Sequence, residues 1–284
     1  MMEKISLIDE TFDRFRSESY NLSVEISMTG YKISITDAVR ESVILLITSP
    51  FDIASSDRKD WTDIVQNLFV QHEMLARKFK NVYFSFESTL FTIIPSDIFM
   101  PERAKQLLET VHQLPDLYEV RFNHIRELNA TVIYALPNSL TSKWIEKQPK
   151  TIFVGHPSPL IAMSTLAKWD KDEPFIQVQF ADGFYTQAVS KNKELLNCNT
   201  FSLYNINDTA YHLINTTKLL GYDAEVSEIN LTGSYVELGA LQSLMNQYFK
   251  KVNGENLLHT HSFTYSIAKY KNIYWNLFNL NLCE

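Results

Sequence analysis

Residues 175–204, FIQVQFADGFYTQAVSKNKELLNCNTFSLY, decide the fold of this chain because they predict three consecutive strands. The pairs Asp182–Gly183 and Lys191–Asn192 divide the stretch, and both pairs are typical of tight turns. The second half therefore begins with a predicted antiparallel sheet. A helix, a strand and a second helix are predicted to follow, over residues 207–222, 226–234 and 236–252.

The first half of the chain is predicted to have the same order of elements. Residues 22–37, LSVEISMTGYKISITD, alternate with a period of two and break at Thr29–Gly30, which predicts a hairpin. The two halves share negligible sequence identity, so the repeat lies in the order β-β-β-α-β-α. The remaining elements of the first half are a strand at 42–50, a helix at 60–79, extended segments at 81–86 and 90–99, a helix at 100–114, two strands within 118–137 and a helix at 138–148.

Five stretches of the chain carry a resemblance to a known family. They are LSVEISMTGYKISI (22–35), VIYALPNSL (132–140), GHPSPLI (155–161), NTFSLYNINDTAYHL (199–213) and LNLCE (280–284). Through them the chain resembles an uncharacterised bacterial family that has the actin-like ATPase fold, a duplicated ribonuclease-H-like pair around a cleft. The resemblance implies an α/β fold and no established activity.

This resemblance divides the chain into three parts. Residues 1–20 are predicted to be an N-terminal extension, a polar segment or a short leading helix. Residues 21–152 form the first ribonuclease-H-like subdomain and residues 153–284 the second. The chain is predicted to cross between the two halves at residues 148–157.

The resemblance also implies three nucleotide-contacting turns, and the first of them is altered here. Actin-like ATPases have an aspartate, an aliphatic residue and a glycine at this turn, where this chain has Glu25, Ile26 and Ser27. A carboxylate is retained. The glycine that lets backbone N–H groups approach phosphate oxygens is replaced by Ser27. The resemblance thus implies a weakened phosphate contact.

The second turn is altered in its metal-organising residue. The corresponding residues here are Gln179, Ala181, Asp182 and Gly183, so an amide stands where the family has the aspartate that organises magnesium. Magnesium prefers anionic oxygen ligands. Asp182 is expected where a phosphate would lie, and two unit charges about 4 Å apart repel by about 4 kcal/mol at an effective dielectric of about 20.

The third turn retains one of the two adjacent glycines that give adenine room. Gly233 is kept, Ser234 follows it, and the next residue, Tyr235, adds a bulky ring. We interpret this turn mainly as a connection. Together the three turns predict a degenerate nucleotide site.

Composition excludes several other classes of protein. The net charge is -7 and basic residues are not clustered, so nucleic acid is not expected as a partner. No apolar run is long enough for a membrane span, and residues 1–15 contain early acids and no long apolar run, which is not typical of a secretory signal, so the cytoplasm is expected. The two cysteines make neither a disulfide framework nor a zinc site.

Several histidines and glutamates are further candidates for a metal site or a catalytic site. His259 and His261 are predicted to share one face of a strand, but no further metal ligand is suitably spaced, so no metal is expected. His156 is assigned a structural role at the domain junction. Glu25 and Glu87 could project from neighbouring strands as in a ribonuclease-H-like nuclease, but a third acid is missing.

The leading functional hypothesis is a non-catalytic, actin-like-fold protein that acts in the cytoplasm through contacts with an unknown protein partner, with no cofactor. One alternative is an actin-like ATPase that binds ATP and magnesium through divergent loops, with Glu25 organising the metal. Another alternative is a cleft that binds a different small molecule.

Overall fold

The structure is a computed structural model that describes residues 3–51, 60–166, 174–192, 194–252 and 260–283. In chain order its strands are β1 (Ile5–Ile8), β2 (Tyr20–Ile26), β3 (Gly30–Asp37), β4 (Ser42–Pro50), β5 (Asn81–Phe86), β6 (Phe91–Pro95), β7 (Tyr118–Ile125), β8 (Ala130–Pro137), β9 (Thr151–Gly155), β10 (Phe175–Phe180), β11 (Phe184–Lys191), β12 (Glu194–Ser202), β13 (Glu228–Gly233), β14 (Lys251–Val252) and β15 (Ser262–Phe263). The α-helices are α1 (Trp61–Gln71), α2 (Ala104–Glu109), α3 (Asn138–Lys147), α4 (Ser158–Leu166), α5 (Ile206–Leu219), α6 (Leu238–Met245), α7 (Tyr265–Ala268) and α8 (Trp275–Phe278).

The first lobe is built on a mixed sheet with the strand order β1-β4-β3-β2-β5-β9, and β15 lies beside β4. Strands β2, β3 and β4 are antiparallel, whereas β5 and β9 run parallel to β2. Helix α1 begins at Asp60, whose side chain accepts a hydrogen bond from the Thr62 N–H at 2.8 Å. Helices α1 and α3 pack on this sheet, and the Trp144 ring lies 4.8 Å from the Phe84 ring. These contacts form the main core.

A smaller sheet is inserted in the first lobe between β5 and α3. Its three strands have the order β6-β8-β7 and are antiparallel. Helix α2 covers it through Ala104 and Leu108, which pack on Ile133 and Ala135 of β8. The strands predicted between residues 90 and 137 therefore form a sheet of their own rather than extending the main one.

The second lobe is a sheet with the order β12-β11-β10-β13-β14. Helices α5 and α6 cover its outer face, where Val178 and Leu231 pack against Leu213 and Leu241. The three consecutive strands predicted over 175–204 are β10, β11 and β12, and the helix, strand and helix that follow are α5, β13 and α6. The predicted order of elements, and with it the predicted α/β fold, is confirmed.

The C-terminal segment, which we define as residues 264–283, lies between the two lobes. Its helix α8 contacts β2 and β3 of the first lobe and β13 of the second. The last turn, Leu280–Cys283, packs on α4 and on β5. Residues at the end of the chain thus touch the strands that carry two of the three predicted turns.

Two observations bear on the predicted division of the chain. Strand β1 lies within the predicted extension, residues 1–20, and pairs with β4 at the edge of the first sheet. Strand β9 pairs with β5, so the predicted boundary at residues 152/153 falls inside a strand of the first lobe. Among the described residues, no helix is both long and apolar enough to cross a membrane.

Candidate functional site

A buried ionic cluster lies at the end of the first hairpin, where the first turn was predicted. Glu25 in β2 is directly opposite Lys32 in β3, and Lys32 Nζ donates to Glu25 Oε1 at 2.7 Å. The same ammonium group donates to Glu87 Oε1, just after β5. Because β2 and β5 are neighbours, the two acids project from adjacent strands, as the sequence suggested. One lysine therefore holds both carboxylates.

His156 and Asn276 complete this cluster from two other parts of the chain. Asn276 Nδ2, on α8, donates to Glu25 Oε2 at 2.6 Å and lies 3.3 Å from His156 Nδ1. His156 Nδ1 is 3.7 Å from Glu25 Oε2. All of these side chains except Lys32 are buried. The domain-junction histidine and the C-terminal segment thus meet at the predicted first turn.

The two carboxyl groups differ in their pKa. Burial alone would raise the pKa of Glu25, but the attraction of Lys32 and the contact with His156 outweigh it and hold that pKa far below its usual range. Burial, together with the negative charge of Glu25, raises the pKa of Glu87. Burial would lower the pKa of Lys32, but the two acids raise it instead. Of the two acids, Glu25 is therefore the more acidic and Glu87 the more easily protonated.

The cluster has the residue types of a metal site but not the arrangement of one. Single ligand atoms of Glu25, Glu87 and His156 all lie within 4.8 Å of one another. However, the Lys32 ammonium group bonds both carboxylates, and Asn276 directs N–H groups, not its oxygen, at Glu25. A divalent cation there would repel Lys32 and would lack free anionic oxygens. These residues do not fit the magnesium ion of the ATPase alternative.

The first turn satisfies its own backbone donors. Ser27 Oγ accepts hydrogen bonds from the N–H groups of Thr29 and Gly30, both at 3.1 Å. These are donors at the tip of the hairpin that a glycine in place of Ser27 would leave free for a phosphate. Ser27 therefore fills the turn with a hydroxyl group.

The second predicted turn is neutral at its base and exposed at its tip. Gln179 Oε1, at the end of β10, accepts from Thr232 Oγ1 at 2.8 Å, and Gln179 Nε2 donates to the Phe180 carbonyl at 3.1 Å. Asp182 and Gly183 are exposed, with Gly183 at φ +79°, and Ala181 is buried. Gln179 is therefore a neutral residue whose hydrogen bonds lie within the sheet, whereas Asp182 is an exposed acid at the tip of the turn.

The third predicted turn is engaged by the C-terminal segment. The Gly233 N–H donates to the Asn272 carbonyl at 3.0 Å. A Cβ atom at Gly233 would lie 2.1 Å from the Phe180 carbonyl oxygen, so the position requires glycine for packing as well as for its φ of +94°. Ser234 is exposed, and the Tyr235 ring stacks on Phe180 with 5.2 Å between centroids.

Three of the residues that engage these turns were missed by the sequence analysis. Lys32 was detectable in principle, because it stands seven residues after Glu25 across a predicted hairpin and must face it. Asn272 and Asn276 gave no signal, since their partners are about 40 and 250 residues away in the chain. His261 lies beside β15, whereas His259 is outside the described residues. Both cysteines are free.

Comparison with known proteins identifies a family and a fold. A sequence profile of the family described as "Protein of unknown function (DUF3822)" matches residues 9–252. No protein with a curated description matches the chain significantly.

Several solved structures are similar to this chain over nearly its whole length. A protein from Bacteroides thetaiotaomicron VPI-5482, described as having an actin-like ATPase fold and unknown function, is 22% identical with a TM-score of 0.81, over 96% of this chain and 100% of that one. A chain of the PilM-PilN type IV pilus biogenesis complex is 11% identical with a TM-score of 0.60, over 93% and 98%. The ethanolamine utilization protein EutJ from Carboxydothermus hydrogenoformans is 8% identical with a TM-score of 0.51, over 98% and 93%. At these identities the comparisons establish the actin-like ATPase fold and nothing finer.

Proposed function

This chain belongs to the DUF3822 family of proteins of unknown function, and from that premise we propose that it is a non-catalytic protein that acts through contacts with another protein. It uses the actin-like ATPase fold as a scaffold and requires no nucleotide. The proposed compartment is the cytoplasm, where free cysteines such as Cys198 and Cys283 persist.

One observation carries this proposal: the chain itself occupies the groups that a metal-bound nucleotide would use. Lys32 neutralises Glu25, and Asn276 takes the second oxygen of that carboxylate. Asn272 takes the N–H of Gly233. A metal-bound triphosphate would have to displace the charge-assisted hydrogen bonds of Glu25, which are about twice as strong as neutral ones, and the backbone hydrogen bond of Gly233.

The partner in this proposal is a protein, although its identity is not specified by these residues. A similar fold occurs in a complex between two proteins, the PilM-PilN type IV pilus biogenesis complex. The net charge of -7 argues against nucleic acid as the alternative partner. We therefore expect the protein to co-elute with a stoichiometric protein partner on size exclusion from its native source, and elution as a free monomer under all conditions would contradict this part.

The absence of nucleotide binding is tested by thermal unfolding with magnesium and ATP at about 1 mM. A ligand at one hundred times its Kd stabilises the folded state by about 2.7 kcal/mol, which raises the Tm of a chain of this size by about 5–10 °C. We expect no rise.

A rise of several degrees would overturn the proposal and support the ATPase alternative. Glu25→Gln then identifies the site, because loss of the rise in this variant places the metal at Glu25. Glu225→Gln is the matched control, since it makes the same change at an exposed residue outside the three predicted turns.

A further inference from the structure

The inner face of the second sheet, which faces the C-terminal segment, carries a patch of buried amides. Gln177 in β10 is directly beside Asn230 in the parallel strand β13, so both side chains lie on one face. Trp275 of α8 covers them, with Leu160 of α4 on the flank. The indole ring of Trp275 thus covers a patch of polar side chains.

Three of the four polar atoms of these two amides lack a hydrogen-bond partner in the part of the chain that the structure describes. Gln177 is 3% exposed and neither its Oε1 nor its Nε2 is bonded, and Asn230 is 2% exposed with Oδ1 unbonded. The gap between them and Trp275 is too small for a water molecule. Buried polar atoms without partners lose their hydration and gain no hydrogen bond in return, so the closed arrangement is unfavourable at this point.

The unbonded atoms define the chemistry of a ligand. Two of them, Gln177 Oε1 and Asn230 Oδ1, are acceptors, and Gln177 Nε2 is a donor. A primary carboxamide offers two N–H donors and one carbonyl acceptor, which is the complementary set. A carboxylate would instead direct its oxygens at two acceptors, and a ketone would leave both acceptors unbonded.

The shape of the covering residue defines the rest of the ligand. The Trp275 ring packs in one cluster with Leu160, Met163 and Ala188, so apolar side chains form the walls of the slot that the flat indole fills. We propose that this slot is a binding site for a planar aromatic molecule that carries a primary carboxamide, and that Trp275 closes it by occupying the place of the aromatic ring. Binding moves the indole out and lets the carboxamide bond Gln177 and Asn230.

This site is independent of the function proposed above. It involves none of the groups that the C-terminal segment bonds at the predicted nucleotide turns, namely Glu25 and the Gly233 N–H. Nucleotide binding and carboxamide binding are therefore measured with different ligands and can fail separately.

Benzamide is the probe, with acetophenone and benzoate as controls of nearly the same shape. In Trp275→Ala the indole no longer competes, so we expect benzamide to bind about ten-fold more tightly than to the wild type, by isothermal titration calorimetry. We also expect it to bind about ten-fold more tightly than acetophenone, because it makes two additional hydrogen bonds. Benzoate is expected to bind most weakly.

Two further variants test the roles of Gln177 and Trp275. They also keep the proposal testable if one of the variants does not fold. Gln177→Leu in the Trp275→Ala background should remove the preference for benzamide over acetophenone. In the wild type, benzamide should change tryptophan fluorescence, and Trp275→Phe should abolish that change while leaving the other three tryptophans intact. Equal binding of benzamide and acetophenone, or no benzamide response in the wild-type titration and the folded variants, would overturn the proposal.

Discussion

The hairpin β2–β3 of the first lobe and the hairpin β10–β11 of the second occupy the same place in the repeated order of elements. Glu25 is the penultimate residue of β2, and Gln179 is the penultimate residue of β10. Each faces a parallel strand at its own penultimate residue, which is Ser85 in β5 and Thr232 in β13. The two positions are therefore equivalent, and the side chains at them differ.

The contacts of Glu25 are ionic, whereas those of Gln179 are neutral hydrogen bonds. Glu25 is opposite Lys32 and shares it with Glu87, whereas Gln179 is opposite Thr186 and bonds Thr232. Both ends are satisfied within the protein, one by charges and one by neutral hydrogen bonds. Equivalent buried side chains in a duplicated scaffold can thus have their polar groups paired in two different ways. In neither way does a pair of carboxylates stay free to bind a metal ion between the lobes.

The largest expected effect comes from removing the shared cation. Lys32→Met leaves the buried Glu25 without its counter-ion, and breaking a buried pair from one side costs about 3–5 kcal/mol of unfolding free energy. Urea unfolding at neutral pH measures this loss. Lys147→Met is the control, because Lys147 is exposed and should change stability by less than about 0.5 kcal/mol. Equal losses of unfolding free energy in the two variants would show that the ionic cluster of the first hairpin stabilises the protein no more than an exposed lysine does.

A smaller effect should separate the two acids of the cluster. Glu25→Gln removes the more acidic of the two carboxyl groups and is expected to cost about 1–3 kcal/mol at neutral pH, whereas Glu87→Gln replaces the carboxyl group whose pKa is raised and should cost less than about 1 kcal/mol. Urea unfolding of the two variants measures the difference. The reverse order would show that Glu87 is the ionised partner of Lys32.

The same two variants, Glu25→Gln and Glu87→Gln, test how the stability of the folded protein depends on pH. The pKa of Glu25 is lower in the folded protein than its ordinary value of 4.5, so its stabilisation is present above pH 4.5 and is lost as the pH falls below that value. The raised pKa of Glu87 acts in the opposite sense, because its protonated form is favoured by folding. Glu25→Gln should therefore lose less stability than the wild type between about pH 5 and pH 3, and Glu87→Gln should not.

The smallest effect is expected in the second lobe. Gln179→Leu keeps the volume but removes the acceptor for Thr232, which still bonds the Val178 carbonyl, so the cost should be about 1 kcal/mol. Asp182→Ala, at the exposed tip of the same hairpin, should be nearly neutral. A cost for Gln179→Leu as large as that of Lys32→Met would mean that the neutral network is as strong as the ionic cluster.

Much of this architecture could be predicted from local patterns. Alternation with a period of two located β2, β3, β10 and β11, and the turn signals at Thr29–Gly30 and Asp182–Gly183 fixed which strands pair. The opposition of Glu25 and Lys32 follows from the same register. The inserted sheet β6-β8-β7 was not separated from the main one, since strand patterns do not specify which sheet a strand joins.

The amino-acid sequence by itself determined the repeated order of elements, the loss of glycine at Ser27 and the presence of an amide at Gln179. Only the tertiary structure decided what meets the strands that carry these turns, because Asn276, Trp275 and Asn272 come from the far end of the chain to Glu25, to the Gln177–Asn230 patch and to Gly233. Hydrogen bonds and burial depend on distances in space, and contacts between residues so far apart in the chain leave no periodic or motif signal.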